Sequence, residues 1–406
     1  MIRKIIYVTG TRADYGLMRE VLKRLHQSED IDLSICVTGM HLDALYGNTV
    51  NEIKADQFSI CGIIPVDLAN AQHSSMAKAN EIKADQFSIC GIIPVDLANA
   101  QHSSMAKAIG HELLGFTEVF ESETPDVVLL LGDRGEMLAA AIAAIHLNIP
   151  VVHLHGGERS GTVDEMVRHA ISKLSHYHFV ATEASKQRLI RMGEKEETIF
   201  QVGAPGLDEI MQYKTSTRDV FNQRYGFDPD KKICLLIYHP VVQEVDSIKI
   251  QFQSVIQAAL ATNLQIICLE PNSDTGGHLI REVIQEYIDH PDVRIIKHLH
   301  RPEFIDCLAN SDVMLGNSSS GIIEAASFNL NVVNVGSRQN LRERSDNVID
   351  VDVTYDAILT GLREALNKPK IKYSNCYGDG KTSERCYQLL KTIPLHSQIL
   401  NKCNAY

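Results

Sequence analysis

The chain has 406 residues, which at roughly 150 residues per domain indicates two domains. Hydrophobic residues make up 44% and charged residues 22%, a balance that excludes a disordered or low-complexity chain. The 51 acidic side chains outnumber the 39 basic ones and give a net charge of -12, which argues against a nucleic-acid partner. Because no apolar run reaches the roughly 18 residues of a membrane span, we expect a cytoplasmic protein without a membrane partner.

Apolar runs rich in Val, Ile and Leu alternate with amphipathic stretches along the chain. In chain order, strands are predicted at 3–9, 32–39, 124–132, 149–157, 176–182, 232–240, 264–272, 293–299, 312–321 and 331–336. Helices are predicted at 15–27, 139–146, 247–261, 280–287, 322–328 and 382–392. This alternation is typical of βαβ units and therefore of a parallel sheet with helices on both faces.

The predicted fold class is α/β, with two Rossmann-like, doubly wound parallel-sheet domains that face each other across a cleft. The strand pattern breaks after residue 203 and resumes near 232, which places the boundary between the domains. We expect an N-terminal domain at 1–205 and a C-terminal domain at 206–380. Residues 381–406 then contain a closing helix that crosses back onto the first domain.

The sequence contains one tandem repeat, because residues 51–79 recur letter for letter as residues 80–108. Each copy has the pattern of a helix end, a strand and a polar loop. Two units are too few for a solenoid, and a sheet offers one strand position at this point of the chain. We therefore predict that one copy lies in the fold and that the other is extruded or weakly packed.

Polar residues follow several strands of the N-terminal half, where ligands of open parallel sheets bind. The first strand leads into a turn with Arg12 and Asp14, and the planar guanidinium of Arg12 suits a phosphate. Later strand ends carry Asp133 with Arg134, then His155 with Glu158, and Asp164 follows closely. Carboxylates and imidazoles at adjacent strand ends can transfer protons. The structural alternative is a tight turn with a surface Arg12, a helix-capping Asp133 and a hydrogen-bonded His153.

In the C-terminal half, His239 ends one strand, and a run of small residues leads from another strand into a helix. That run contains Ser318, Ser319 and Gly321, and backbone N–H groups at a helix start can bind a diphosphate. Glu324, one turn later, could accept hydrogen bonds from a ribose diol. The alternative is a capped helix in which Glu324 complements the helix dipole.

Together these motifs resemble the hydrolysing UDP-N-acetylglucosamine 2-epimerases of sialic acid biosynthesis. The resemblance covers nearly the whole chain when one copy of the repeat is left out. Its motifs are GTRADYG at 10–16, VTGMHL at 37–42, GDR at 132–134, GGE at 156–158, RHAISK at 168–173, HP at 239–240, GNSS at 316–319 and GSR at 336–338.

The resemblance implies the glycosyltransferase-B fold, with UDP-N-acetylglucosamine bound between the domains. It implies elimination of UDP across C1 and C2, followed by hydration of the resulting glycal to N-acetylmannosamine. It implies no metal and no nicotinamide or other cofactor, and it leads us to expect a homodimer. The resemblance implies that Asp133 and Asp164 are the acid/base carboxylates, and we expect the catalytic residues to include His155, Glu158 and His239 as well. The implied substrate-binding residues are Arg12, Asp14, Arg134, Ser318, Ser319, Gly321, Glu324 and Arg338, with Leu299, Phe304 and the backbone around His298 at the uracil.

One departure from the family pattern concerns the chemistry directly. His155 stands where the best-known members carry Glu, so the second proton role passes to His155 or to Glu158. UDP-N-acetylglucosamine is the first substrate hypothesis, and UDP-2,4-diacetamido-2,4,6-trideoxyglucose of the legionaminic acid pathway is the alternative. A UDP-sugar glycosyltransferase of the same fold and a sugar-nucleotide binding protein without turnover are the hypotheses from other classes.

Overall fold

The structure is a computed structural model that describes residues 2–42, 48–65, 102–159, 163–210, 213–271, 276–297, 299–369, 371–395 and 397–406. The chain forms two compact units, Met1–Glu209 with Gly380–Tyr406, and Ile210–Asp379. We call them unit 1 and unit 2. Within the described residues, every helix is too short or too polar to cross a bilayer.

Unit 1 is built on a seven-stranded parallel sheet in the order β3-β2-β1-β4-β5-β6-β7. Its strands are β1 (Arg3–Thr9), β2 (Ile31–Thr38), β3 (Ser59–Ile64), β4 (Val127–Leu131), β5 (Val151–Leu154), β6 (Tyr177–Val180) and β7 (Ile199–Gln201). Its helices are α1 (Arg12–His26), α2 (Val50–Ala55), α3 (His102–Glu123), α4 (Gly135–His146), α5 (Val163–Leu174), α6 (Glu183–Arg191), α7 (Gly206–Ile210, which ends at the boundary) and α14 (Thr382–Thr392).

Unit 2 has a six-stranded parallel sheet in the order β10-β9-β8-β11-β12-β13. Its strands are β8 (Ile233–Ile237), β9 (Gln265–Leu269), β10 (Val293–Ile296), β11 (Val313–Gly316), β12 (Asn331–Val335) and β13 (Val348–Val351). Its helices are α8 (Arg218–Tyr225), α9 (Ile248–Leu260), α10 (Gly277–Gln285), α11 (Arg301–Asn310), α12 (Ser319–Ile323) and α13 (Tyr355–Asn367).

The predicted fold class, two doubly wound parallel sheets, is confirmed. In each sheet the strand order reverses once, between β1 and β4 in unit 1 and between β8 and β11 in unit 2. Loops at such a reversal diverge to opposite faces of the sheet and leave a crevice at the carboxyl ends of the strands. Each unit therefore has one favoured place for a ligand, and the candidate residues lie around it.

Several predicted helix boundaries differ from the structure, and two of these differences have a clear local cause. The first helix begins at Arg12 rather than Tyr15, because the Thr11 side chain accepts a hydrogen bond from the Asp14 N–H and Asp14 reciprocates. The helix predicted at 322–328 is two short pieces, α12 and a 3-10 turn at Ala325–Phe328. Capping at the first site and a change of hydrogen-bonding pattern at the second are local effects that apolar periodicity does not report.

The first copy of the repeat supplies α2 and β3, and its described part is held firmly by α1. Asp56 accepts hydrogen bonds from Tyr15 and Arg19, and Ile53 is fully buried. The matching strand of the second copy lies outside the described residues, so the expected fate of that copy stays a prediction. The polar loop predicted to end the second copy is wrong at 102–108, where α3 begins, since Ser-Ser-Met-Ala-Lys-Ala continues into an amphipathic helix of good helix formers.

The closing helix α14 packs on α1 in unit 1. Arg24 pairs with Glu384 at 2.7 Å, and Lys391 pairs with Asp30 at 2.6 Å. Cys386 and Leu390 join the hydrophobic core on this face of the sheet. The chain beyond residue 380 thus completes unit 1, although it follows unit 2 in sequence.

Candidate active site

The turn after β1 is organised around Asp14. Its carboxylate accepts hydrogen bonds from the N–H groups of Gly10 and Thr11 at 3.1 and 2.9 Å, and it also contacts Thr9 Oγ1. Burial raises the pKa of Asp14 to about 6, although these hydrogen bonds act in the opposite direction. The buried Asp14 carboxylate therefore stabilises the turn that follows β1.

Arg12 lies on the outside of the same turn. Its side chain is 56% exposed, and Nε lies 2.9 Å from Oε1 of Glu52 on α2. An exposed pair of this kind contributes little to stability, so the guanidinium can exchange Glu52 for another anion at low cost.

Three buried carboxyl groups, those of Asp14, Glu112 and Glu136, lie near the ends of β1, β2 and β4. Glu136 lies so close to the turn that a Cβ on Gly10 would be 2.7 Å from its Oε1, so a larger residue at position 10 would displace the Glu136 side chain. Arg134 donates two hydrogen bonds to Glu136, from Nε at 3.0 Å and from Nη2 at 2.9 Å. Among the described residues, Arg134 is thus the cation in contact with this cluster, which has more carboxyl groups than one guanidinium can balance.

The pKa of Glu112 is shifted further than that of Asp14. Burial, followed by the charge of Glu136, raises the pKa of Glu112 to about 8. Thr38 Oγ1 lies 2.9 Å from the Ile64 carbonyl oxygen and 3.1 Å from Glu112 Oε1. A hydroxyl has one hydrogen. With that hydrogen on the Ile64 carbonyl, the contact to Glu112 is satisfied when the carboxyl is protonated and donates to Oγ1.

Asp133, which follows β4, is joined to α5 by a contact with Nη2 of Arg168. The Arg168 side chain is 5% exposed, and its Nε and Nη1 are buried without a hydrogen-bonding partner among the described residues. Asp164 is exposed in the first turn of the same helix, four residues before Arg168, and therefore on the same helix face. The structure thus brings Asp133, Asp164 and Arg168 to one edge of the unit 1 sheet.

His155 and Glu158 follow the neighbouring strand β5 and form a buried pair. Nδ1 of His155 lies 2.8 Å from Oε1 of Glu158, while Nε2 is buried and has no partner in the described part of the chain. His155 has φ of 60°, a left-handed conformation that is uncommon for a residue other than glycine. Such conformations persist where surrounding structure enforces them, often at functional sites.

Two other histidines of unit 1, His153 and His41, are buried among groups that support the fold. His153 lies between Ser172 Oγ at 3.1 Å and the Gly132 carbonyl at 2.7 Å, and burial lowers its pKa to about 3. Burial also lowers the pKa of His41 to about 4. For His153 the structural alternative of the sequence analysis therefore applies.

In unit 2, Asn317 links the ends of three strands. Its side chain accepts from the His239 N–H at 2.7 Å and donates to the His239 carbonyl at 2.8 Å. Its own carbonyl accepts from Arg338 Nη1 at 3.2 Å and from Gln339 at 3.0 Å. His239, Arg338 and the start of α12 are therefore held together by Asn317, which the sequence analysis placed in the GNSS motif without predicting this role.

The turn into α12 is tight. A Cβ on Gly316 would lie 1.9 Å from the Ile237 carbonyl oxygen, so only glycine fits. Ser318 caps the helix by accepting from the Ser320 N–H, and Ser319 is the first helical residue. Gly321 is buried, and its missing side chain lets the helix approach Val332 and Met314. Gly321 thus serves helix packing, whereas Ser318 and Ser319 lie at the strand end.

Glu324 follows α12, where it receives a hydrogen bond from Arg301 Nη2 at 2.7 Å. Its Oε2 is buried and has no hydrogen-bonding partner among the described residues. Leu299 and Phe304 are partly buried against the apolar cluster on this side of the sheet. His298, predicted to lie at the uracil, is outside the described residues.

Glu112 and Arg301 are further residues that sequence reasoning missed. Glu112 carries a usable signal, because it occupies the apolar stripe of α3 with Ile109, Leu113 and Phe116, where a carboxyl group is unexpected. Arg301 carries no such signal, since its partner is distant in sequence.

Each unit can thus perform one kind of chemistry. Unit 1 presents carboxylates, an imidazole and a buried guanidinium, which can move protons and stabilise charge. Unit 2 presents a histidine, backbone N–H groups, an arginine and a buried carboxylate oxygen, which can bind a nucleotide.

The chain is similar to known proteins in both sequence and fold. A sequence model of the UDP-N-acetylglucosamine 2-epimerase family matches residues 23–391. The chain is 93% identical over 406 residues to UDP-N,N'-diacetylbacillosamine 2-epimerase (hydrolyzing) of Legionella pneumophila subsp. pneumophila, with 100% of both chains covered. It is 31% identical over 364 residues to polysialic acid biosynthesis protein P7 of Escherichia coli, covering 89% of this chain and 85% of that one. UDP-GlcNAc 2-epimerase from Neisseria meningitidis, in a crystal structure with UDP-GlcNAc, has a TM-score of 0.72 at 19% identity over 95% of this chain and 99% of that one.

The structural match confirms the expected glycosyltransferase-B fold. The family match spans most of the chain, including the strand ends of both units. The chain therefore belongs to the UDP-N-acetylglucosamine 2-epimerase family of enzymes.

Proposed function

We propose that this enzyme is a hydrolysing 2-epimerase whose substrate is UDP-2,4-diacetamido-2,4,6-trideoxyglucose, also called UDP-N,N'-diacetylbacillosamine. The observation that carries the proposal is the 93% identity over the full length of a relative that is named for this substrate. The alternative substrate of the sequence analysis thus replaces UDP-N-acetylglucosamine as the first choice. His155, where better-known family members carry Glu, is consistent with a change of substrate around C2 or its neighbours.

The reaction begins when unit 2 residues bind UDP and unit 1 residues act on the sugar. Asp133 takes the proton from C2, the electrons of that bond form the C1–C2 double bond, and the C1–O bond breaks. The electron pair of the C1–O bond leaves with UDP. His239 and Ser319 stabilise the charge that develops on the diphosphate. The first products are UDP and an unsaturated sugar.

Hydration completes the epimerisation. His155 delivers a proton to C2 from the opposite face, and water supplies the hydroxyl group at C1, with its own proton replacing the one that His155 gave. The Glu158 contact at Nδ1 supports this role, because it leaves the buried Nε2 as the atom that exchanges protons. The sugar product has the manno configuration.

UDP-N-acetylglucosamine, leading to N-acetylmannosamine for sialic acid synthesis, is the second candidate substrate. The family model is named for this sugar nucleotide, and the similar Escherichia coli protein is named for polysialic acid biosynthesis. A homodimer in the cytoplasm also stays a prediction.

Parallel incubations with the two UDP-sugars, without an acceptor, test the proposal. UDP release is followed by a coupled assay, and kcat/KM is determined for each. We expect the trideoxy substrate to be preferred by at least about 10²-fold, since a site shaped for an amide rejects a sugar that leaves its polar groups unpaired. Preference for UDP-N-acetylglucosamine would reverse the order of the candidates, and release of UDP from neither would contradict the reaction.

A further inference from the structure

Arg301 and Glu324 form a pair that the reaction described above does not use. Nη2 of Arg301 lies 2.7 Å from Oε1 of Glu324, whose side chain is 9% exposed. The other oxygen, Oε2, is buried and has no hydrogen-bonding partner among the described residues. Buried polar atoms in native proteins nearly always have partners, so an orphaned carboxylate oxygen points to a donor that arrives with a ligand.

Arg301 is well placed to fix the direction of this carboxylate. It is the first residue of α11, whose start is secured by a reciprocal capping interaction of His300 and Glu303. Its guanidinium carbon lies 5.8 Å from the ring centroid of Phe304 on the same helix. The arginine is therefore restrained at both ends, and its contact with Oε1 limits rotation of the Glu324 carboxylate.

We propose that Arg301 is a positioning residue for the ribose of the nucleotide: it occupies Oε1 of Glu324 and thereby directs Oε2 at a ribose hydroxyl. The inference rests on the proposed function, because it assumes a uridine nucleotide in unit 2. A hydroxyl that donates to a carboxylate makes a strong, charge-assisted hydrogen bond, and the bond requires a carboxylate held in one orientation. Arg301 itself need not touch the ligand.

Affinity measurements with two nucleotides distinguish an effect of Arg301 through the ribose hydroxyls from a general effect on nucleotide binding. Arg301→Met removes the guanidinium but keeps the length of the side chain, and we expect it to weaken UDP binding about 10-fold or more by calorimetry. Binding of 2',3'-dideoxy-UDP should change less than about two-fold, because that ligand has no hydroxyl for Oε2. Combining Arg301→Met with Glu324→Gln should add nothing to the loss from Glu324→Gln, as expected for two residues that act as one unit.

Two further variants control for folding. Lys249→Met removes an exposed ion pair with Glu282 in the same unit, and should leave both affinities unchanged. Arg301→Lys keeps a donor near Oε1 and should recover most of the UDP affinity. In turnover, Arg301→Met should raise KM for the UDP-sugar while kcat changes little.

Equal weakening of UDP and 2',3'-dideoxy-UDP by Arg301→Met would overturn the inference, as would unchanged UDP affinity. If the unaltered protein bound no UDP, the proposed function would fail, and the inference with it. Normal binding of UDP with no effect of Arg301→Met would reject only the inference.

Discussion

Replacing Glu112 by Gln should make the stability of unit 1 less sensitive to alkaline pH. Glu112 is 2% exposed, and its pKa rises to about 8 because of burial and the nearby charge of Glu136. A carboxyl whose pKa is higher in the folded than in the unfolded protein binds its proton more tightly when folded. Stability is therefore greatest at low pH and is lost as pH rises from the unfolded value near about 4.5 to about 8.

The size of the effect on the unfolding free energy follows from the shift in the pKa of Glu112. One pKa unit corresponds to about 1.4 kcal/mol, so deprotonating Glu112 between pH 5.5 and 8.5 costs on the order of 3 kcal/mol of unfolding free energy. The Glu112→Gln side chain cannot ionise, so the variant does not lose this unfolding free energy as pH rises. Its amide can still donate a hydrogen bond to Thr38. Relative to the unaltered protein, the variant should gain on the order of 3 kcal/mol over this range, or several degrees in the unfolding midpoint.

Thermal unfolding of both proteins at pH 5.5, 7 and 8.5 measures this difference, because titrating groups that do not interact with Glu112 contribute equally to the two proteins. Glu118→Gln, on the exposed face of the same helix, is the matched control and should change the unfolding free energy by less than about 0.5 kcal/mol at each pH. A Glu112→Gln difference that stays constant from pH 5.5 to 8.5 would refute the assignment of a protonated carboxyl at this position.

Three other changes have defined outcomes. Asp133→Asn should lower turnover by about 10²-fold or more in a UDP-release assay while UDP affinity stays within about two-fold, because the proposed mechanism makes the carboxylate beside Arg168 the base at C2. Lys402→Met should lower the unfolding free energy by about 3 kcal/mol in urea titrations, since Lys402 pairs with Glu194 at 2.6 Å and bonds three carbonyls at the end of α5. Deleting 80–108 removes 29 residues after β3, including 102–108 at the start of α3, whose sequence 73–79 then supplies. The deletion should preserve activity, with stability unchanged or raised by about 1 kcal/mol in thermal unfolding.

Each of these outcomes has a contrary result. Unchanged turnover of Asp133→Asn would remove that residue from the mechanism. Lys402→Met should cost far more stability than Lys391→Met, whose exposed pair with Asp30 is worth less than about 1 kcal/mol, and equal costs would contradict the role of Lys402. Loss of folding after deletion of 80–108 would show that both copies of the repeat are required.

The strand ends could be predicted from the sequence because parallel strands buried on both faces read as continuous apolar runs. Residues after β4 and β5, such as Asp133 and His155, were found by that rule alone. What each residue does there was harder to predict. Asp14 and His153 have the residue types of a catalytic site, yet their hydrogen bonds serve the turn and the strand end. Only the positions of their hydrogen-bonding partners distinguish a catalytic residue from a structural one.

Contacts between segments that are far apart in sequence could not be predicted from the sequence. Arg301 meets Glu324 from another helix, and Lys402 reaches α5 from the end of the chain. Neither pair has a fixed spacing, because the connecting chain is long and its path depends on packing. The substrate was also ambiguous, since His155 indicates a departure from the family pattern without naming the sugar.

Incubation in deuterium oxide, followed by mass spectrometry and NMR of the released sugar, tests the central claim most directly. Proton removal at C2 predicts one deuterium at C2 of a manno-configured 2,4-diacetamido-2,4,6-trideoxy sugar, released together with UDP. A released sugar that keeps its original C2 hydrogen and gluco configuration would show that the enzyme only cleaves the bond to UDP, and would contradict the account.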